Sequence, residues 1–505
     1  MLRQDRPDIL LATINAKWIH PSLALRLLKA NLGELEPHCR IIEFALRQPL
    51  KEKIDPLLEA NPSILGISVS IWNHKATLEL LKGLYEYWQT RNAEASPGFT
   101  KPLIVLGGPE VSWLPGDAEI FRYADYAIRG EGETAFKTLC LRIFEGMDPS
   151  NSSMKTEKSS RKAANLPEFI DSLPEDLSLI KTAYHLYSSE DLRRKLVYVE
   201  ASRGCPFGCE FCLSAAGSEE ARRVREFPLD EFLSTMDDLV KGGVKIFKFL
   251  DRTFNLDIKR ATAIMEFFLD KLKNPQDDTP LCVHFEMVPS RFPDELKNLL
   301  CKFPAGSLRL EVGIQTLNPE TSKLIGRPWD AEKELEVLRF LRTKTNAIVH
   351  ADLIAGLPGE DLASFGEGFD RLWIALTGGQ AWEETSPFSN TLSRVEIQLG
   401  ILKLLPGAPI GRRTGAYGIC YGTEPPYEVL ETAALPASQL DRIKNFARFW
   451  EIIVNRNSFP DLAEKLFPPG APVFSCFMEL SDKLLTQFGK NWGIDRKELR
   501  RVLEG

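Results

Sequence analysis

The ten residues Arg203-Gly204-Cys205-Pro206-Phe207-Gly208-Cys209-Glu210-Phe211-Cys212 constrain this chain more than any other stretch, because they bring three thiols close together in sequence. Gly204, Pro206 and Gly208 oppose a helix there and let the backbone wrap tightly. Upstream, Leu196-Val197-Tyr198-Val199-Glu200 alternates as a strand does, which places the thiols on a loop at a strand's carboxyl end. Three thiolates so held can bind three corners of an iron–sulfur cube and leave the fourth iron open to a ligand. Structural zinc asks for four ligands, usually as two separated pairs, and no fourth Cys or His stands near in sequence. A disulfide suits a secreted chain, whereas Met1-Leu2-Arg3-Gln4-Asp5-Arg6-Pro7 reads as no apolar signal segment.

A chain of 505 residues is too long for one core, and three domains are expected. With 44 % apolar and 26 % charged residues it has the balance of a globular protein, and no apolar run is long enough to predict a membrane span. A net charge of -7 argues against non-specific nucleic-acid binding. The nine cysteines are scattered apart from the triplet, which points to a cytoplasmic, reducing setting and a metal role for the cluster of three.

Before the triplet, Asp8 to Ala12, Arg40 to Phe44, Ile64 to Val69 and Leu103 to Leu106 read as short buried strands, with helices over Ser22 to Leu32 and Thr77 to Gln89. This alternation predicts a doubly wound, Rossmann-like parallel sheet, which binds ligands beyond the carboxyl ends of its strands. Those ends carry Thr13-Ile14-Asn15, Ser68-Val69-Ser70, Gly107-Gly108-Pro109-Glu110 and Arg129-Gly130-Glu131-Gly132-Glu133. Residues 148–165 are polar, Ser- and Lys-rich and aperiodic, so they read as a flexible linker, followed over Leu166 to Ile180 by an extended connector with two Leu-Pro pairs.

The second half alternates again. Strands are predicted at Leu196–Glu200, Ile246–Leu250, Cys282–Met287, Leu308–Ile314 and Val349–Ile354, and helices at Leu229–Lys241, Ile258–Lys273 and Glu332–Thr343. Such units build a partial (β/α)6 TIM-type barrel with its chemistry at the strands' carboxyl ends. Asp251, Glu286, Glu311, Gln315 and Asp352 fall at or near those ends. Beyond these, Thr377 to Asn390 reads as a loop insertion, Val395 to Leu405 as an apolar amphipathic run, and Leu440 to Val454 and Asp482 to Phe488 as helices of a mainly helical C-terminal domain. The expected division is 1–147, 148–194, 195–376 and 377–505.

The spacing Cys-x-x-x-Cys-x-x-Cys, with the aromatic Phe211 before the last Cys, resembles the signature of the radical S-adenosylmethionine (SAM) superfamily. The resemblance implies a four-iron four-sulfur cluster on Cys205, Cys209 and Cys212, SAM on the open iron, Phe211 beside the cofactor and an external one-electron reductant of flavodoxin or ferredoxin type. Residues 8–145 look like the cobalamin-binding domain that precedes the core in one large subgroup. That implies cobalamin near Asn15, Ser68, Ser70, Gly107, Gly108 and Glu131. Asn15-Ala16-Lys17-Trp18-Ile19-His20-Pro21 departs from the Asp-x-His-x-x-Gly motif that ligates cobalt from below, so His20 is expected to be an ordinary loop histidine.

Glu311-Val312-Gly313-Ile314-Gln315-Thr316, Leu324-Ile325-Gly326-Arg327 and Asp352-Leu353-Ile354-Ala355-Gly356-Leu357-Pro358-Gly359-Glu360 look like the corresponding runs of the coproporphyrinogen oxidase-like and methylthiotransferase-like branch. This implies SAM contacts at Gln315, Arg327, Asp352 and Ile354, with Asp251 and Glu286 near its amino group. Arg412 to Tyr421 and Pro425 to Leu430 resemble a C-terminal domain of unknown function found beside some cobalamin domains. The whole implies a cobalamin-dependent radical SAM enzyme that C-methylates a small-molecule or peptide substrate. Alternatives are a methylthiotransferase-like or cyclase-like radical SAM enzyme without a cobalamin methyl carrier, and a non-catalytic cobalamin or cluster sensor. Methylthiotransferases carry a second cysteine triplet, and only Cys39 and Cys140 precede residue 200.

Overall fold

The structure, a computed structural model, describes residues 7–93, 101–145, 166–273, 281–327, 330–378, 394–462, 466–467 and 471–505. The expected linker over 148–165 and most of the expected insertion over 377–390 lie outside them. The chain divides into two compact units, 1–199 with 218–221 and 225–244, and 200–217 with 222–224 and 245–505.

The first unit begins β1 (Ile9–Asn15), α1 (Leu23–Ala30), β2 (Cys39–Ala45), α2 (Leu50–Ala60), β3 (Ile64–Ser68), α3 (His74–Ala93), β4 (Leu103–Gly107), α4 (Pro109–Trp113), β5 (Tyr126–Arg129) and α5 (Glu133–Phe144). A last strand, β6 (Glu168–Asp171), completes a six-stranded parallel sheet of order β2-β1-β3-β4-β5-β6. Successive residues of β1 enter opposite cores. Leu10, Ala12 and Ile14 pack with Leu57, Leu80, Leu84 and Trp88, whereas Ile9 and Leu11 pack with Leu25, Phe136 and Leu139. Burial on both faces is why β1 is apolar throughout rather than alternating. The stretch read as an extended connector supplies β6, which aligns on β5 from Tyr126↔Glu168 to Arg129↔Asp171. The sheet order changes direction between β1 and β3, and loops leaving those two strands for opposite faces open a crevice at their carboxyl ends. The unit also contains β7 (Val197–Val199) and α6 (Leu229–Lys241).

The second unit runs β8 (Ile246–Phe249), α7 (Ile258–Lys273), β9 (Cys282–Met287), α8 (Asp294–Leu300), β10 (Leu308–Gln315), α9 (Pro319–Leu324), α10 (Ala331–Lys344), β11 (Ile348–Ala355), α11 (Leu362–Thr377) and β12 (Val395–Ile401). Its strands are parallel in the order β12-β11-β10-β9-β8, the strand–helix alternation of a partial barrel. The run read only as apolar and amphipathic is β12, so the barrel sheet extends past residue 376 to Ile401. Its outer edge is closed by Asn455, whose Nδ2 donates to the Ile397 carbonyl at 3.0 Å while Ile397 N–H donates to its Oδ1 at 3.2 Å. Helices α12 (Ala437–Trp450) and α13 (Val473–Phe488) follow; Phe446, Trp450 and Phe474 lock onto Phe369 of α11 through edge and tilted ring contacts, and Phe477 packs edge-on against Phe446. Among the described residues no helix is long and apolar enough to cross a membrane.

Candidate functional site

The two faces of the second sheet differ completely. Phe247, Phe249, Val283, Phe285, Leu308, Leu310, Val312, Val349, Ala351 and Ile397 are buried on one face. The opposite face, one residue out of phase, carries Lys248, His284, Glu286, Arg309, Glu311, Gly313, His350, Asp352, Glu396 and Gln398. TIM-type barrels usually fill this position with branched apolar side chains. A face lined with charge is therefore arranged around something polar.

That face is layered. Toward the strands' amino ends, Glu311 lies 3.5 Å from Lys248 and 3.2 Å from His284 Nε2, and these partners pull its carboxyl down to about 2. Beside it, His350 Nδ1 lies 3.0 Å from Glu396 and 2.9 Å from Gln398 Nε2, and its ring stacks on His284 at 5.5 Å. Burial, with Arg309 near, holds the His350 imidazole down at about 4. The cations of this floor are thus engaged. On the same face Glu286, in register with Glu311, and Asp352, two residues beyond His350, make no side-chain hydrogen bond or ion pair among the described residues. Desolvation, reinforced by Glu311, pushes Asp352 up to about 8, and desolvation pushes Glu286 up to about 7. Ile354, half-buried, follows Asp352 on the same face.

Gln315 ends β10 at a register irregularity after Gly313 and has φ 70, an uncommon conformation for a residue with a side chain. Its amide folds back across Gly313, where a Cβ would stand 2.5 Å from Gln315 Nε2. Thr316 Oγ1 donates to buried Glu360 at 2.5 Å and fixes the turn that follows.

The thiol loop is held from three sides within this unit. Cys205 N–H donates to Arg222 O at 3.1 Å, Glu210 N–H to Ile325 O at 2.9 Å, and Ile410 N–H to Glu210 O at 2.8 Å. Cys205 and Cys209 are buried, and desolvation raises both thiols; Cys212 is half-exposed, as is Phe211. Asp251 is fully buried and engaged, its oxygens accepting from Ala201 N–H at 3.0 Å and Ser202 Oγ at 2.6 Å. It therefore anchors the lead into the thiol loop, a use that spacing along the sequence does not reveal. Arg327 reaches back over this loop, with Nη2 donating to Gly313 O at 2.5 Å and a side-chain hydrogen bond to Cys209. Among the described residues no three His, Cys, Asp or Glu side chains converge as the ligands of a single ion would. The triplet instead offers three separate thiols on one irregular loop, which fits a cube whose irons stand apart.

In the first unit the sheet's carboxyl edge gathers the other candidates. Ser70 is buried and next to Asn73, which sequence reasoning missed. Asn73 is fully buried; its Nδ2 donates to Ile14 O at 2.9 Å and Ser68 O at 3.3 Å, and its Oδ1 accepts from Ser70 N–H at 2.8 Å, so one amide ties β1 to β3 at the crevice. Gly107 ends β4, and Gly108, at φ 106, brings its Cα so near β3 that a Cβ would lie 2.5 Å from Val69 O. Asn15 turns aside to Glu43 at 3.1 Å, and Glu131 pairs with Arg225 Nη1 at 2.9 Å and accepts from Glu175 N–H at 3.0 Å. Both side chains are thus occupied by the protein itself. His20 Nδ1 is 2.9 Å from Tyr198 Oη. Around this edge Trp18, Ile19, Trp72 and Trp113 remain exposed. Exposed rings at consecutive strand ends are a signal that the sequence carries, because no apolar period accounts for Trp18 or Trp72.

Residues 199–372 match the Radical SAM superfamily, and residues 9–140 match the B12 binding domain. The chain is 24 % identical to the cobalamin-dependent radical SAM methyltransferase TokK of Streptomyces tokunonensis, over 82 % of this chain and 56 % of that protein. It is 29 % identical to 2-(S-pantetheinyl)-carbapenam-3-carboxylate methyltransferase of Streptantibioticus cattleyicolor, over 40 % of this chain and 30 % of that protein. It thus spans about half the length or less of these relatives. The fold is also that of OxsB, a cobalamin-dependent SAM radical enzyme solved with aqua-cobalamin and SAM, with TM-score 0.64 at 14 % identity over 99 % of this chain and 78 % of that one. TsrM of Kitasatospora setae, solved with cobalamin and a four-iron four-sulfur cluster, gives TM-score 0.57 at 18 % identity over 86 % and 81 %.

Proposed function

We propose a function for a chain that belongs to the cobalamin-binding group of the radical SAM superfamily: reductive cleavage of SAM at a four-iron four-sulfur cluster, leading to C-methylation of a small-molecule or peptide substrate. The observation that carries this reading is the polar barrel face, with Asp352 and Glu286 unpaired among the described residues beside internally satisfied charges, Gln315 folded across Gly313, and Arg327 reaching from Gly313 O to the thiol loop. Carboxyl groups without partners suit a ligand that brings an ammonium and a sulfonium. Cys205, Cys209 and Cys212 would hold the cluster, and Asp352, Glu286, Gln315, Arg327, Ile354 and Phe211 would position SAM. Asp251 keeps the loop in register rather than meeting the ligand.

When bound, the cluster supplies the electron that splits SAM into methionine and a 5′-deoxyadenosyl radical, and cobalamin supplies a carrier for a methyl group. The chain's own part is to bind, orient and keep water out. In the first unit the crevice between β1 and β3, with Ser68, Ser70, Gly107 and Gly108 at its rim, fits a large planar ligand, and exposed Trp18 and Trp72 give it apolar walls. Because Asn15 and Glu131 are engaged by Glu43 and Arg225, they act as supports of that rim. The names of the methyltransferase relatives support methylation over other radical outcomes. A one-electron donor of flavodoxin or ferredoxin type and a reducing cytoplasm belong to the same reading, supported by nine cysteines none of which is paired among the described residues.

The test is anaerobic reconstitution of the full chain followed by incubation with SAM and a reductant. About four irons per chain, formation of 5′-deoxyadenosine, and S-adenosylhomocysteine only when cobalamin is added are expected. Alanine at Cys205, Cys209 or Cys212 is expected to abolish 5′-deoxyadenosine. A chain without iron, or cysteine variants that still cleave SAM, would remove the reading. S-adenosylhomocysteine indifferent to cobalamin would favour a radical SAM enzyme without the methyl carrier.

A further inference from the structure

Three stretches far apart in sequence lie against the thiol loop within the second unit. Cys205 N–H donates to Arg222 O at 3.1 Å, and Gly204, at φ 99, comes so close to Arg223 O that no Cβ would fit. At the end of α9, Glu210 N–H donates to Ile325 O at 2.9 Å, and a Cβ on Gly326 would stand 2.7 Å from Gly208 O. From the third stretch, Ile410 N–H donates to Glu210 O at 2.8 Å. Each stretch carries exposed cations: Arg223, then Lys323, then Arg412 and Arg413. Lys323 is answered by Glu320 at 2.8 Å, and Arg413 stands 3.8 Å from Glu210 Oε1. Arg223 and Arg412 make no side-chain hydrogen bond or ion pair among the described residues. The loop itself exposes Pro206 and Gly208, with no described atom within 4 Å of where a Cβ on Gly208 would stand, and Leu324 is exposed on α9. On the reading that the triplet carries a cluster, we propose that this cationic margin of the loop is the face on which a small acidic electron-carrier protein docks to reduce it.

The physical reason is electrostatic. The chain has a net charge of -7, so the molecule as a whole repels an acidic carrier. Unpaired arginines beside the loop reverse that sign locally, which steers the carrier to this face and orients it there. Transient redox encounters bury little surface, below about 1,200 Å², so rim charge does much of their selection. With no side chain at Gly208, a carrier can come close to buried Cys205 and Cys209 on either side of it. In the encounter the carrier is oxidised by one electron and the cluster is reduced by one, and no group is transferred. The loop is held here by backbone groups, Arg222 O and Ile410 N–H, so the side chains of Arg223 and Arg412 can change without loosening the thiols.

The experiment compares the reconstituted full chain as wild type, Arg223→Glu with Arg412→Glu, and Arg223→Lys with Arg412→Lys. Formation of 5′-deoxyadenosine is driven by an acidic flavodoxin or ferredoxin kept reduced by its reductase, and separately by titanium(III) citrate, which needs no docking. Binding of the oxidised carriers to each chain is measured by calorimetry at low and high salt. At low salt the glutamate pair is expected to lose about tenfold in carrier-driven rate and to bind the carrier more weakly, a difference that salt narrows. With titanium(III) citrate it is expected to match wild type, and the lysine pair is expected to match wild type throughout. Equal carrier-driven rates and equal carrier binding in wild type and the glutamate pair overturn the proposal, as does a wild type that titanium(III) citrate reduces and neither carrier does. If the glutamate pair takes up no iron or loses the titanium-driven rate, carrier binding decides, and unchanged binding overturns the proposal. Single-stranded RNA held through the same arginines, with carrier binding unchanged, assigns the face to nucleic acid and overturns it too. Wild type that forms no 5′-deoxyadenosine with titanium(III) citrate overturns the cluster reading itself, a different outcome from active samples that treat the carrier alike.

Discussion

Substituting Gly313 by alanine tests how the polar face delivers Gln315. The new methyl would stand 2.5 Å from Gln315 Nε2 and 3.6 Å from its Cδ, with no other atom of the described residues that close. Gly313 has ordinary strand backbone, and its carbonyl still accepts from Arg327, so the chain can tolerate the methyl and the glutamine amide must swing away. The backbone of Gln315, at φ 70 beyond the register irregularity, offers no easy compensating shift. If that amide holds the carboxylate of SAM, a hydrogen bond to a charged group is lost, worth about 1.5–3 kcal/mol. At about 1.36 kcal/mol per decade, this is a rise of roughly 10- to 100-fold in the SAM concentration that half-saturates cleavage. Displacing one side-chain tip should change thermal stability by less than about 1 kcal/mol. The assay is 5′-deoxyadenosine formation against SAM concentration, with thermal unfolding alongside, for Gly313→Ala, Gln315→Ala and the pair. The double variant should be no worse than Gln315→Ala alone, since both remove one contact. Unchanged SAM dependence in a folded Gly313→Ala protein, or fully additive losses, would refute the reasoning.

Three further outcomes follow from the geometry. Gly108→Ala, at φ 106 and with its methyl 2.5 Å from Val69 O, sets backbone against backbone and should lower the melting temperature and weaken cobalamin uptake, read by absorbance. Asn73→Ala strips the amide joining β1 to β3 and leaves buried Ser70 N–H without its acceptor, a loss of about 1–3 kcal/mol measurable by denaturant unfolding. The carboxyl of Asp352 rises on folding to about 8 and that of Glu286 to about 7, so their stabilising contribution is full below the ordinary carboxylate range and is lost as pH rises through those values. Glu311, lowered to about 2, behaves oppositely and loses its contribution only in acid. The chain without SAM should therefore melt lower at pH 9 than at pH 6, and Asp352→Asn should flatten that slope; an identical slope in the variant would contradict the assignment.

Short apolar runs with helical stretches between them are enough to predict two alternating sheets, because each strand's burial is written in its own residues. Strand β12 escaped because Val395-Glu396-Ile397-Gln398 has a strand's alternation but starts after a polar stretch, and only pairing with β11 identifies it as the sheet edge. Strand β6 escaped for a similar reason: the Leu-Pro context suggested a passing connector, and Tyr126 to Arg129 supplied the partner.

The amino-acid order by itself determined the thiol spacing, the strand ends on which carboxylates fall, and the glycines of the turns, since these are properties of neighbours along the chain. Tertiary structure alone decided which polar groups remain without partners. Asp251 and Asp352 look alike in sequence, yet one is engaged by Ala201 and Ser202 while the other has no side-chain partner among the described residues, beside charges balanced by Lys248 and Arg309. A carboxylate's chemistry is set by what surrounds it within a few ångströms, and parallel strands bring those surroundings from residues dozens of positions away.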